Sequence, residues 1–411
     1  MGCLVSTPSD ASGHRRRPGS IGELVVYIPG FRIPKRIDFN QSTGESLPKN
    51  LIDRISALHT RIVVMAAQES PVASKSRRRT ATRHGGSSSD DLLQALEGYL
   101  LVLLGLVEDG RQLRDKVNFV WLNQEDDAEE TGMANVWYEV LSVLHLMALL
   151  CLSQANSLLV PKSHGDGYQP RISEESRRNS IDIFLKASGY LDCAIRQVLP
   201  QIGNDMRREL PVDLAEGNLR AISLQALGQA VDLQLGMAID SPKATLAVKR
   251  RLACEMVKYW QQAQDNIAVL PLQDSWGKKH QLFIKWKFLE SKAAAYYFHG
   301  LILDEGNTEK SHRAAAAALH ASEEFLRESK KASDAFNSTS PTSSRSPLLW
   351  GSMKYLSEKI PKDASSKVRI NRDLYSQESV IDTAPVLPDF PLALKPDDYQ
   401  LPQADLSWKR E

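Results

Sequence analysis

The most specific chemistry in the chain lies in its first six residues. Met1-Gly2-Cys3-Leu4-Val5-Ser6 fits the N-myristoylation pattern, in which Met removal frees the Gly2 amine and a hydroxyl stands at position 6. Cys3, next to it, is placed for S-palmitoylation. One myristoyl chain alone gives marginal, reversible membrane binding, on the order of 10⁴ M⁻¹. A second acyl chain, at about 0.8 kcal/mol per buried methylene, turns that into stable anchoring. Arg15, Arg16 and Arg17 follow. They would face anionic lipid, each contributing roughly 1 kcal/mol near the surface.

Nothing comparable points to bond-making. The sequence has no nucleophile elbow, no phosphate-cradling loop and no paired-His metal motif. Gly277-Lys278-Lys279 lacks the upstream Gly of a phosphate loop, since Leu272 stands there. His145 falls in an apolar run and reads as a satisfied core histidine rather than a ligand or base. Cys3, Cys151, Cys193 and Cys254 are far apart, with none of the metal-ligand spacings, as in a reduced intracellular protein. No catalytic residue, metal, cofactor or small-molecule substrate is therefore expected. Lys+Arg 51 against Asp+Glu 50 gives a net charge of +1, which offers no support for nucleic-acid binding. The longest apolar run, Tyr138 to Leu152, is interrupted by Glu139 and His145 and is shorter than the ~20 residues of a membrane span. The N-terminus has no apolar core of the kind a secretory signal needs.

Hydrophobic periodicity predicts a chain of amphipathic helices. The central pair spans Trp276 to Lys331. Leu282, Trp286, Leu289, Ala293, Tyr296 and Leu301 mark one buried stripe, and Ala314, Ala318, Ala321 and Phe325 a second. The break between them, Asp304-Glu305-Gly306-Asn307-Thr308, is polar. Neither helix covers its apolar face alone, so the pair reads as one unit of a helical-hairpin array. Further helices are expected at 50–69, 91–109, 135–159, 173–199, 214–237, 243–269 and 350–360. Asp90 is expected to cap the second, and Pro242 to open the helix at 243–269. The 135–159 helix is apolar all round and should be the most buried. Leu24 to Ile28, Pro29-Gly30 and Phe31 to Ile33 predict a short β-hairpin ahead of the helices. Gln41 to Pro48 reads as a loop. Residues 70–90 and 333–347 read as mobile loops, the first basic, and Val380 to Pro402 as an extended run. Arg177-Arg178-Asn179-Ser180 is open to two readings, a first helical turn or a basic kinase site.

These parts, in this order, resemble a known family. The pieces that carry the likeness are Lys292-Ala293-Ala294-Ala295-Tyr296-Tyr297-Phe298-His299 and Asn371-Arg372-Asp373-Leu374-Tyr375-Ser376-Gln377-Glu378-Ser379-Val380. Phe119-Val120-Trp121, Lys186-Ala187-Ser188-Gly189 and Leu227-Gly228-Gln229-Ala230 add to it. Together they resemble the Bro (Bro-one) domain of ALIX-like endosomal proteins, over roughly Ile21 to Leu394. The resemblance implies an all-α, banana-shaped array with a tetratricopeptide-like core, preceded by the hairpin. It divides the chain into an acylated basic segment (1–20), the Bro-like domain (21–394) and a C-terminal tail (395–411). The long coiled V-shaped domain and Pro-rich tail of the large family scaffolds are missing. The chain therefore looks like a single-domain, lipid-anchored member, similar to the acylated Bro-domain proteins of plants.

The resemblance also implies a function: an endosomal-sorting adaptor whose concave apolar groove takes the C-terminal amphipathic helix of an ESCRT-III subunit. Val248 and Leu252 match two apolar groove positions, Arg178 the flanking basic one, and the remaining large apolar position aligns at Gln234 or Leu235. Such a protein would sit on the cytoplasmic face of endosomal or plasma membrane, partly cytosolic. Two other readings stay open: a lipid-anchored scaffold for a signalling partner, and a hydrolase or transferase with a cryptic site. A Gly2→Ala variant is expected to leave the membrane fraction for the soluble one on cell fractionation; its retention on membranes contradicts the anchor.

Overall fold

In the computed structural model the described residues are 26–43, 47–69, 88–108, 115–123, 130–160, 172–272, 275–339, 351–375, 383–405 and 408. Eleven α-helices lie among them: α1 (Phe39–Thr43), α2 (Lys49–Glu69), α3 (Ser88–Glu108), α4 (Val136–Leu159), α5 (Glu174–Cys193), α6 (Asn204–Arg208), α7 (Glu216–Asp240), α8 (Leu246–Ala268), α9 (Ser275–Asp304), α10 (Glu309–Ser338) and α11 (Met353–Tyr375). Each long helix packs on the next, with α7 between α5 and α8 and α9 between α8 and α10. The hairpin array foreseen from periodicity is thus the architecture.

Caps set several boundaries. Asn135 accepts the N–H groups of Trp137 and Tyr138 at the start of α4. Ser173 accepts Ser176 N–H for α5, and Thr308 and Ser311 form a reciprocal capping box for α10. Thr245, not Pro242, starts α8, its hydroxyl accepting from Val248 N–H. Asp90 lies inside the first turn of α3 and accepts a hydrogen bond from Gln154 instead of capping. Residues 41–43, expected as loop, belong to α1. Helix α10 runs on to Ser338, into the stretch expected to be loop. The last helix is more than twice its expected length and continues through Pro361.

The N-terminal strand forms at Arg32–Pro34 (β1), but its partner is Phe119–Asn123 (β2), not the run before Pro29. Strand β2 also pairs with Glu130–Met133 (β3), giving an antiparallel sheet of order β1-β2-β3. Phe119 and Trp121 alternate inward and are fully buried. Arg32 explains the long-range choice. Its guanidinium is buried against the Asp213 carboxylate at 3.0 Å, donates to Tyr138 Oη at 2.9 Å and hydrogen-bonds Thr131. A hairpin with residues 24–28 offers no such counter-ion, and a buried cation without one is costly.

Two apolar clusters fill the array. The first gathers the sheet and α2 to α5; the second gathers α8 to α11. Helix α7 belongs to both, giving Leu219, Ile222, Ala226, Ala230 and Leu233 to one and Leu227, Val231 and Leu235 to the other. Helix α4 is the one described helix long and apolar enough to cross a membrane, but 94 % of its most apolar window is buried in protein.

Three histidines are sealed in this interior. Burial lowers His59 to about 4, and His145 and His280 each to about 3. His280 Nε2 lies 2.9 Å from Gln225 Oε1. His145 is a core residue as expected, but neither ring nitrogen has a hydrogen-bond partner among the described residues. Burial acts oppositely on Glu139, raised to about 7 although Trp121 and Tyr99 donate to it, and on Asp232. The unfolded chain protonates the histidines near pH 6.5 and the folded chain does not, so they favour folding above that pH and oppose it below. The two carboxyls, protonated longer when folded, work the other way between their ordinary values and their raised ones. Each imidazole that only the unfolded chain protonates costs on the order of 1.4 kcal/mol of stability per pH unit below 6.5, and the raised carboxyls offset part of that loss. Urea titrations at pH 7 and pH 5 are expected to show this loss, and His145→Leu to flatten it.

Candidate functional site

The expected groove lies on α5, α7 and α8, and three contacts fix how they run. Ser188 Oγ on α5 lies 2.7 Å from Ser223 Oγ on α7, and Arg177 of α5 reaches Asp240 at the far end of α7 at 2.6 Å. These two helices are therefore antiparallel. Gly228 of α7 packs against the Trp260 indole of α8, and only residues 241–245 connect the two helices, so α8 is antiparallel to α7 as well. Helices α5 and α8 are then two parallel walls with α7 as the floor. The N-terminal half of each wall stands level with the C-terminal half of α7.

On that level the structure brings together most of the residues read from the sequence. Val248 is 46 % exposed and Leu252, one turn on, is half-buried over the second cluster. Arg178, on the facing wall, is exposed and holds Glu174 at 2.5 Å as an i,i+4 pair. Leu235 does not join them. It is fully buried in the second cluster and is unavailable to a partner. Gln234 is the partly exposed residue of that turn, so the floor is polar where the family resemblance asks for a large apolar side chain. Period 3.6 decides the matter: positions 234 and 235 stand 100° apart, and only one faces the slot. Ser180, the hydroxyl of the basic kinase-type sequence, is fully buried and donates to Ser176 O at 2.7 Å, which leaves the helical reading.

Sequence reasoning missed the part played by the extended tail. Residues 383–405 lie across the array. Glu255 Oε1 on α8 accepts the N–H groups of Ala393 (2.7 Å) and Leu394 (2.9 Å), and Tyr259 and Lys258 donate to the carbonyls of Leu394 and Phe390. Asp397 N–H then bonds to Leu185 O on α5 at 3.2 Å, and Tyr399 stacks edge-on against Tyr190. Further on, Arg54 of α2 grips Asp405 with both guanidinium nitrogens, at 3.1 and 2.6 Å. Two mid-helix glycines are the available signal. A Cβ on Gly189 would lie 2.6 Å from Asp397 O, and one on Gly105 would fall inside the Trp408 indole. Gly inside a helix costs about 1 kcal/mol relative to Ala, so a repeated one asks for a close neighbour.

Gly2, Cys3, Arg15, Arg16 and Arg17 lie outside the described residues, as do the basic stretch 70–87 and the loop 340–350. Cys151, Cys193 and Cys254 are buried, and burial pushes their thiols up to about 12, 12 and 11, into the unreactive range. Among the described residues no three His, Cys, Asp or Glu are grouped to hold a metal ion. Glu139, whose carboxyl burial raises to about 7, is sealed among Tyr99, Trp121 and His59.

Comparison with known proteins agrees with this architecture. A family model, the BRO1-like domain, matches residues 47–381. No curated protein sequence matches the chain. Among solved structures, a complex of the ALIX BRO1 domain with CHMP4C superimposes with a TM-score of 0.58 at 16 % identity, covering 92 % of this chain and 98 % of that one. ALIX bound to the SIVmac239 late-domain peptide PYKEVTEDL gives 0.61 at 16 % identity, with 92 % of this chain covering 49 % of that one. At such identity the likeness is one of fold. The family match extends over most of the sequence, from the start of α2 to beyond α11, and the chain belongs to the BRO1-like domain family.

Proposed function

We propose that this protein is a membrane-anchored adaptor of the endosomal ESCRT pathway, which takes the C-terminal amphipathic helix of an ESCRT-III subunit between α5 and α8. One observation carries the reading: Val248 is exposed and Leu252 only half-buried on one face of α8, with a surface arginine on α5, in a chain of this family. The related ALIX BRO1 domain has been solved with CHMP4C, which supports an ESCRT-III partner of that type.

The mechanism is helix-in-groove recognition. An amphipathic helix lays its i, i+3 and i+4 apolar side chains over Leu252 and Val248. Acidic residues on its flank meet Arg178, whose partner Glu174 is one turn away and mostly exposed to solvent, so the arginine exchanges partners at little cost. Gln234 in the floor gives up apolar area, and the affinity falls accordingly. Acyl chains on Gly2 and Cys3, with Arg15 to Arg17 against anionic lipid, hold the array on the cytoplasmic face of endosomal or plasma membrane. Partner encounter is then favoured by raised local concentration. The protein works by binding, with no bond-making step of its own.

Fluorescence anisotropy with labelled C-terminal helix peptides of ESCRT-III subunits tests this. Val248→Asp with Leu252→Asp is expected to weaken binding at least about tenfold, since each removes an apolar anchor of 1–3 kcal/mol. Val248→Asp alone is expected to leave the thermal midpoint nearly unchanged, because the side chain is half-exposed. Undiminished binding by the double variant contradicts the groove assignment. Absence of binding to every ESCRT-III peptide favours a different client.

A further inference from the structure

The same spacing recurs on all three groove helices. On α8, Val248, Leu252, Glu255 and Tyr259 share one face at intervals of four, three and four. On α5 the series is Arg178, Asp182, Leu185 and Gly189; on α7, read in the opposite direction, it is Ala238, Gln234, Val231 and Leu227. The first two members of every series are exposed or partly exposed. The last two of every series lie where the tail crosses. Glu255 and Tyr259 hold Leu394, Leu185 and Gly189 meet Asp397, and Val231 and Leu227 are buried in the cluster on which Leu392 and Leu394 pack. Leu394 and Asp397 are three residues apart, so they bridge at most about 10 Å, enough to span one channel between two helices packed on a third.

From this we infer that the segment Leu394-Lys395-Pro396-Asp397 is the end wall of the partner groove, and that Glu255, Tyr259 and Gly189 are positioning residues that fix it there. The open slot then runs from the Thr245 cap to Glu255. That is ten residues of α8, or about 15 Å, and it takes about three turns of a partner helix. The wall sets the register of the bound helix, because one of its ends abuts the strap while the other points past the mouth of the slot. It also hides the more apolar half of the channel, the part floored by Leu227 and Val231. The four anchoring hydrogen bonds at Ala393, Leu394 and Asp397 make it a fixed wall rather than a lid. The inference rests on the proposed helix-in-groove function and adds to it which helix lengths are admitted.

The test uses the full-length chain and an ESCRT-III C-terminal helix peptide in three forms: parent, lengthened by two helical turns at its N-terminus, and lengthened likewise at its C-terminus. The wild-type chain is expected to bind one lengthened form at least about tenfold more weakly than the parent and the other form equally well. Gly189→Ala displaces Asp397, and Glu255→Ala with Tyr259→Phe releases Leu394. Either variant is expected to bring that discrimination below about threefold without changing parent affinity more than about twofold. If both lengthened peptides bind the wild-type chain as tightly as the parent, or the strap variants leave the discrimination intact, the wall is overturned while the groove stands. If the parent peptide itself fails to bind, groove and wall fall together.

Discussion

Helix α7 has no solvent-only side over most of its length, and the array depends on that constraint. Its apolar residues fall alternately into the two clusters, so it partitions the interior and belongs to both halves. A helix of this kind cannot exist without a neighbour on each flank. It sets α5 and α8 parallel to each other, and two parallel helices over a third leave a channel by geometry alone. The slot is a consequence of stacking, not an addition to it. Its side chains are then chosen by which residues of α5 and α8 point away from the floor.

Periodicity made the helices legible, because each buries a stripe and the stripes recur at three and four. It left the ends less certain where no cap spoke, as at α11, and it misplaced the strand's partner. Strand pairing over ninety residues stands beside a buried ion pair, Arg32 with Asp213, and no local pattern reports either contact. The groove was legible only through family resemblance, since an exposed Val or half-buried Leu has no signature of its own. Where the resemblance left 234 and 235 open, a 100° difference in helix phase made one a core residue and left the other partly exposed.

The extended tail, read from the sequence only as an extended run, is held by main-chain and side-chain bonds from α8 to α2. It closes across the seam between the two clusters, with Leu394 against both. The opposite end of the chain does something similar. Val26 lies in the first cluster, while Tyr27 inserts among His280, Phe283 and Phe336 of the second, and its carbonyl accepts from Gln225 at 2.7 Å. Two extended segments therefore tie the halves of a helical stack whose own contacts are mostly between sequence neighbours. Such ties resist the bending that would change the width of the channel.

Because the three cysteines of the helical body are buried and inert, a thiol placed in the slot reports on the slot alone. In a Cys3→Ser background, Val248→Cys is the most direct probe of whether α8 offers an open surface that a partner helix covers. The account predicts rapid modification by a maleimide in the free chain and strong shielding when a saturating ESCRT-III C-terminal helix is present. A thiol that is inert in the free chain, or one that reacts equally fast with the helix bound, contradicts it.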